Sequence, residues 1–401
     1  MIRAGFSLKA EFKRESVNFV KTPTKSNTTK MEKKFIILGA IILVSLIVSI
    51  SAAFLAKETN SSPPSGEITC NVIQENTGGI NIVLFATEKQ AKKYADFFLN
   101  IAPYNSNQDK FNFYYITSED YAFECEIYQG IALLCYSREI IQIAAICPND
   151  YVVVLKEEPI SIRSSAYRGI MSLNLNHPPT VFAHEFYHVF DNAAEEYSSP
   201  GSSIPSKSEN CQKSCDDFRE FPEYEGEFEC HQTCTESDYY REFENGFMRS
   251  LQANRYGPHN ELILEEEIYN QFEGDVSLSG FAIQGGNPCD KQKYYLIEGE
   301  EIEIIEGCAQ QGERFGPAAQ VEDSSGDITE YPLHSDDLFI TDYDPTPGAI
   351  ITAQSPQKLD LPPITTIPKT GQEESITFPG DQNNPQITLS LKETGATPCK
   401  N

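Results

Sequence analysis

The sequence is short of positive charge. Its 401 residues carry 31 Lys and Arg against 59 Asp and Glu, a formal net charge of −28. A phosphate backbone is held by clustered cations, so this balance excludes nucleic acid as a partner. Histidine is also scarce, with six in the whole chain. Cysteine is missing from the first 69 residues, although eleven follow, from Cys70 to Cys399. One stretch, the 22 residues from Phe35 to Ala56, has no charged side chain at all.

That uncharged stretch is long enough, at ~1.5 Å per helical residue, to cross a hydrocarbon core of ~30 Å. Residues 1–34 before it hold nine Lys and Arg against three Asp and Glu. The positive-inside rule then makes 1–34 a basic cytoplasmic N-terminus, 35–56 a transmembrane anchor, and everything after Lys57 external. The other reading is a signal segment: translation from Met31 would give a basic start, and Ser49–Ala52 a cleavage site. Either way the same chain is exported, as a single-pass membrane protein or a secreted one. The cysteines agree, since all lie beyond the apolar segment, where an oxidising compartment would pair most of them. Their odd number leaves at least one unpaired or bonded to another chain.

Residues 57–68 read as a polar Ser/Pro linker. The region 69–275 reads as α/β (α+β), with a mixed sheet. Ile80–Thr87, Phe111–Thr117 and Asp150–Lys156 are apolar, β-branched or aromatic runs that predict strands. Between the first two, Ala91, Ala95, Phe98 and Ala102 recur at helical spacing, and Thr87 can cap that helix. From 276 to 345 the pattern breaks into short β-rich pieces, a small all-β C-terminal appendage in which Cys289 and Cys308 could close a loop. Residues 346–401, rich in Pro and Thr, are expected as a flexible tail.

The chemistry concentrates in "HEFYHVFDNAAEEY", His184 to Tyr197. On a helix, residues four apart share a face, so His184 and His188 can aim two imidazoles at one metal ion. Glu185 beside them can act as general base toward a water molecule, the pattern expected of a zinc hydrolase. The bland alternative is an amphipathic helix that happens to carry two histidines. Against it, Phe186, Val189 and Phe190 make the helix at least half buried, and buried histidines need partners. A catalytic zinc takes three protein ligands. An unbroken helix would carry Glu195 ~10 Å past His188, too far to bind the same ion. Two solutions stand. The helix breaks at Asp191–Asn192 and the chain folds back with Glu195 or Glu196, or a glutamate arrives from Arg219–Glu229.

This stretch resembles the H-E-x-x-H segment of the M64 metallopeptidases, the family that includes bacterial IgA peptidase. The similarity extends to Ile80–Ile116, to "ENGFMRS" (Glu244–Ser250) and to "RYGPHNELILEE", and spans residues 70–272. It implies a zincin-like metallopeptidase domain with an active-site helix. His184 and His188 would be zinc ligands, Glu185 the catalytic base and Glu195 the third metal ligand. Met248 would lie in a turn beneath the metal. The chain departs from the family pattern at Tyr187, Asp191 and Glu195, where a small residue, Gly and Asp are usual.

Two C-x₃-C pairs, Cys211/Cys215 and Cys230/Cys234, follow the motif. On two antiparallel helices they could join as Cys211–Cys234 and Cys215–Cys230, with a structural zinc as the alternative. Such a hairpin could form a wall or lid of the cleft, with His231 on its surface. The functional expectation is an extracytoplasmic zinc endopeptidase acting on a protein or peptide. The competing one is a non-catalytic adhesion or interaction protein on the same fold, which would have no need of Glu185.

Overall fold

A computed structural model of the chain describes residues 68–76, 78–117, 123–197, 203–205, 208–220, 229–273, 292–298, 301–307, 318–332, 337–341, 357–358, 364–369, 372–378 and 386–391. The Phe35–Ala56 stretch, the basic segment before it, and Cys289, Cys308 and Cys399 lie outside these residues. Among the described residues no helix is long and apolar enough to cross a membrane.

The described chain opens with β1 (Asn71–Gln74), β2 (Ile80–Phe85), helix α1 (Glu88–Phe98) and β3 (Phe111–Ile116). A short hairpin, β4 (Glu126–Tyr128) and β5 (Ala132–Leu134), leads to α2 (Arg138–Ala144), β6 (Tyr151–Lys156), β7 (Ser164–Tyr167), β8 (Ile170–Asn174) and α3 (Thr180–Asp191). Then come β9 (His231–Cys234), β10 (Glu236–Arg241) and α4 (Pro258–Glu273). The C-terminal part adds β11 (Gln292–Glu298), β12 (Glu301–Gly307), β13 (Ala318–Asp323), β14 (Ile328–Pro332) and β15 (Asp337–Thr341). It ends with β16 (Gln357–Lys358), β17 (Ile364–Pro368), β18 (Glu373–Phe378) and β19 (Ile387–Ser390).

The central sheet is mixed, in the order β1-β3-β2-β6-β8-β7-β15-β16. Strands β3, β2, β6 and β8 run parallel, while β1, β7 and β15 pair antiparallel. Alternation along the strands builds two cores. Ile82, Leu84, Tyr151 and Val153 pack with α1, α3 and α4 on one face. Val83, Phe85, Val152 and Val154 pack with α2 and the β4–β5 hairpin on the other. Strand β6 is therefore apolar and buried from Tyr151 to Leu155, as a central parallel strand covered on both sides should be. On α1 the Thr87 hydroxyl accepts from the Gln90 N–H, and the Gln90 side chain accepts from the Thr87 N–H. Ala91, Tyr94, Ala95 and Phe98 form its buried face, but Ala102, expected on the same face, falls past the helix end. Disulfides Cys70–Cys147 and Cys125–Cys135 tie the second face, and Cys70, Cys125, Cys135 and Cys147 all border its core.

The appendage consists of a three-stranded sheet, β12-β11-β17, and a four-stranded one, β14-β13-β18-β19. They bury Tyr295, Ile297, Val321, Ile367, Ile376 and Phe378 together. Leu296, facing the other way on β11, joins the α2 core, and Arg138 reaches Glu303 at 2.7 Å. Two expectations change here. The stretch 346–401, expected as a flexible tail, supplies β16 to β19. Strands β17 to β19 are rich in Ile and Thr, β-branched residues that suit a pleated strand. Strand β15, expected within the small β-rich domain, instead extends the central sheet.

Candidate metal centre

Helix α3 is buried from Val181 to Asp191, beyond the half-burial that its apolar residues predict. It stops where Asn192 turns left-handed, at φ 55° and ψ 32°, and the Asn192 N–H returns to the Tyr187 carbonyl. Asparagine tolerates that conformation better than most residues, so the break expected at Asp191–Asn192 has a local cause. The chain then doubles back and carries Glu195 over the helix end.

His184, His188 and Glu195 form a buried group that could hold a metal ion. The two Nε2 atoms are 3.0 Å apart. Glu195 places one oxygen 3.2 Å from His184 Nε2 and the other 3.3 Å from His188 Nε2. An ion about 2.0–2.1 Å from three tetrahedrally disposed atoms spaces them about 3.3 Å apart, so the cluster has the dimensions of such a ligand set. The imidazoles are also oriented. His184 Nδ1 donates to the Phe247 carbonyl at 2.8 Å, and His188 Nδ1 to the Ala193 carbonyl at 2.7 Å. A carbonyl can only accept, so each Nδ1 carries the proton and each Nε2 turns its lone pair inward.

Glu195 and Glu196 take separate paths. Glu196 accepts from Asn260 Nδ2 at 2.6 Å and from Asn210 Nδ2 at 3.4 Å, away from the histidines. Its N–H donates to the Met248 carbonyl at 3.0 Å. Met248 is buried in the turn after Gly246, and the same turn supplies the Phe247 carbonyl that holds His184. A side chain on Gly246 would run into the Tyr256 carbonyl, so the turn depends on that glycine. On the other flank, Thr235 Oγ1 donates to the Glu195 carbonyl at 2.8 Å and Asn210 brackets Ala194. The bonds Cys211–Cys234 and Cys215–Cys230 are present, in the expected pairing. Their framework is not the expected pair of helices: Cys234 ends β9 of a two-stranded sheet. Ala194 packs against Cys211 and Cys234, so the hairpin braces the loop that carries Glu195. His231 is partly exposed and pairs with Glu229 at 2.9 Å. Of the alternative glutamate source, residues 221–228 lie outside the described ones.

The electrostatics call for positive charge at the centre. Burial opposes charge on His184, yet the adjoining Glu195 carboxylate outweighs it and raises the imidazole to about 9. Burial likewise opposes charge on Glu195, but His184 and His188 hold it down at about 2. His188 is lowered, by burial first. Two imidazoles and one carboxylate thus enclose room for one positive charge, which a proton or a metal cation can supply. Burial pushes Glu185 up to about 8, while His184 and the Thr341 hydroxyl act in the opposite sense. Neither Glu185 oxygen has a hydrogen bond of good geometry.

Strand β15 covers this centre. Its Phe339 ring stacks on His188, centroids 4.0 Å apart and planes 13° from parallel, and its Thr341 bears on Glu185. Neither residue carries a sequence signal that links it to a histidine more than 150 positions earlier. The Phe247 and Ala193 carbonyls are invisible for a plainer reason, because every residue has a carbonyl. Compared with protein-family models and with curated proteins, the chain matches none.

Proposed function

We propose that the protein is a zinc-dependent endopeptidase that works outside the cytoplasm, with a zincin-like domain of the M64 kind. The observation that carries the reading is the convergence of His184, His188 and Glu195 around one point, with the unpartnered Glu185 carboxyl beside it. Two nitrogens and one carboxylate oxygen form a donor set suited to zinc, with a coordination position left for chemistry. Bound there, the ion would supply Lewis acidity, which makes water more acidic and a carbonyl more electrophilic. Glu185 takes one proton from the attacking water as the new C–O bond forms at the peptide carbon. It returns that proton to the leaving nitrogen as the C–N bond breaks. His184 and His188 would offer their Nε2 lone pairs to the ion, because backbone carbonyls hold the Nδ1 protons and metal binding displaces any proton at Nε2. The apolar segment ahead of the domain and the disulfides support export to the cell surface or beyond.

The test is metal content together with hydrolysis of unstructured peptides, with and without chelator. Glu185→Gln should retain stoichiometric zinc and lose ~10²–10⁴ in rate, since an amide keeps the shape but cannot take the proton. Near-full activity in this variant would overturn the mechanism. Full metal occupancy without hydrolysis by any form of the chain would favour the adhesion reading.

A further inference from the structure

Strand β7 borders the metal centre and, without β15, would be the edge of the central sheet. An open edge beside a catalytic centre is a natural seat for an extended peptide, because an added strand satisfies its unpaired N–H and C=O groups. In this chain the seat is filled from within. Phe339, Ile340 and Thr341 pair with Ala166, Ser165 and Ser164 in antiparallel register. Alternation sends Phe339 and Thr341 toward α3, where the Phe339 ring stacks on His188, and Ile340 to the opposite face with Leu134 and Tyr167. The result is a closed centre: His184, Glu185, His188 and Glu195 are each at most 1% exposed. A peptidase cannot take substrate in that state.

We infer that Asp337–Thr341 is a built-in occupant of the peptide seat, an extended segment that pairs with β7 in the place of a substrate backbone and keeps the centre shut until it is displaced. The inference rests on the peptidase reading. The segment suits a removable occupant. It is five residues long, its ladder with β7 has three partners, and its other neighbour, β16, spans two residues.

The test uses the full chain loaded with zinc. Phe339→Ala removes the ring stacked on His188, and Ile340→Pro places a residue without an N–H in the middle of the strand. Both should speed amide exchange in β7 and zinc release to a chelator at least tenfold over the parent. Both should raise hydrolysis of an unstructured peptide by a similar factor. A synthetic peptide of the sequence Asp336–Asp342, added in trans, should reverse these changes, and a scrambled one should not. A further variant does not depend on weakening the fold: Ser165→Cys with Ile340→Cys, at facing positions, should close as a disulfide and slow zinc release below the parental rate.

Exchange and release within twofold of the parent in all three variants would overturn the inference, as would equal effects of native and scrambled peptides. Faster exchange and release without hydrolysis would leave the occupant in place and sink the peptidase reading. Hydrolysis by the parent as fast as by the opened variants would do the reverse.

Discussion

On one side of the metal centre, the loop from Ala193 to Tyr197 is held by Asn210, Thr235, Asn260, the Met248 turn and a disulfide. On the other side, β15 is held by three ladder partners and a ring stacked on His188. The first arrangement distributes its hold over groups that are local in space and covalently braced. The second could be undone by the removal of one short strand. A ligand must be placed within tenths of an ångström to bind metal, whereas a cover has only to exclude water and substrate. On the proposed function, the contrast in bracing follows that contrast in need.

The sharpest way to break the comparison is within the clamped loop itself. Glu195→Ala should weaken zinc roughly a hundredfold or more, and Glu196→Ala far less, as read by competition with a calibrated chelator. If Glu196→Ala were the variant that stripped the metal, the assignment of the third ligand would be wrong. In stability the largest loss is expected of Gly246→Ala. It forces the turn that carries the Phe247 and Met248 carbonyls away from Tyr256, with an expected loss of about 4 kcal/mol in denaturant unfolding and weaker zinc binding. Replacement of Cys211 and Cys234 by Ser should cost about 3 kcal/mol and loosen zinc as well. Unchanged zinc affinity would show that hydrogen bonds alone hold the loop.

A smaller effect concerns pH. His259 is buried beside the Phe218 ring, its Nε2 on the Glu209 carbonyl at 3.3 Å and its backbone N–H toward the Glu242 carboxylate at 3.4 Å. Burial lowers its pKa from 6.5 to about 4. The unfolded chain therefore takes up this proton first as pH falls. The stabilisation is complete above pH ~6.5 and disappears as pH drops toward ~4, a contribution on the order of 2 kcal/mol. His259→Gln should flatten the stability curve of the apo protein in that window. The smallest effect lies farthest from either side of the centre: Thr87→Ala, which removes the cap of α1, should cost about 1 kcal/mol and leave zinc affinity unchanged.

What could be read from the sequence was what is local. The strand at Ile80–Phe85, the cap at Thr87, the face of α1 and the paired histidines all follow from spacings within a few residues. The helix break at Asn192 belongs to the same group, because a left-handed residue leaves a mark in residue type. That the Cys211/Cys215 pair bonds the Cys230/Cys234 pair was legible too, although the framework was not: a C-x₃-C spacing fits a helical turn, and nothing in it signals the β9–β10 ribbon. Spacing left Glu195 and Glu196 both open and the resemblance favoured Glu195; the Asn260 and Asn210 amides that hold Glu196 aside lie 64 and 14 residues beyond it, with no spacing to announce them. Strand β15 was placed in the appendage because sequence proximity favoured it. Its actual partner, β7, precedes it by about 170 residues, beyond the whole candidate metal centre, and pairing at that range leaves no periodicity to read.

The bond between Cys211 and Cys234 carries one more consequence. If the crosslink tightens the loop that presents Glu195, the redox state of two sulfurs and the occupancy of the metal site are thermodynamically linked. Linkage is reciprocal, so whatever factor the disulfide adds to zinc affinity, bound zinc adds to the resistance of that disulfide to reduction. Oxidation and metal loading then reinforce each other, and the apo, reduced chain is the form in which both are most easily reversed.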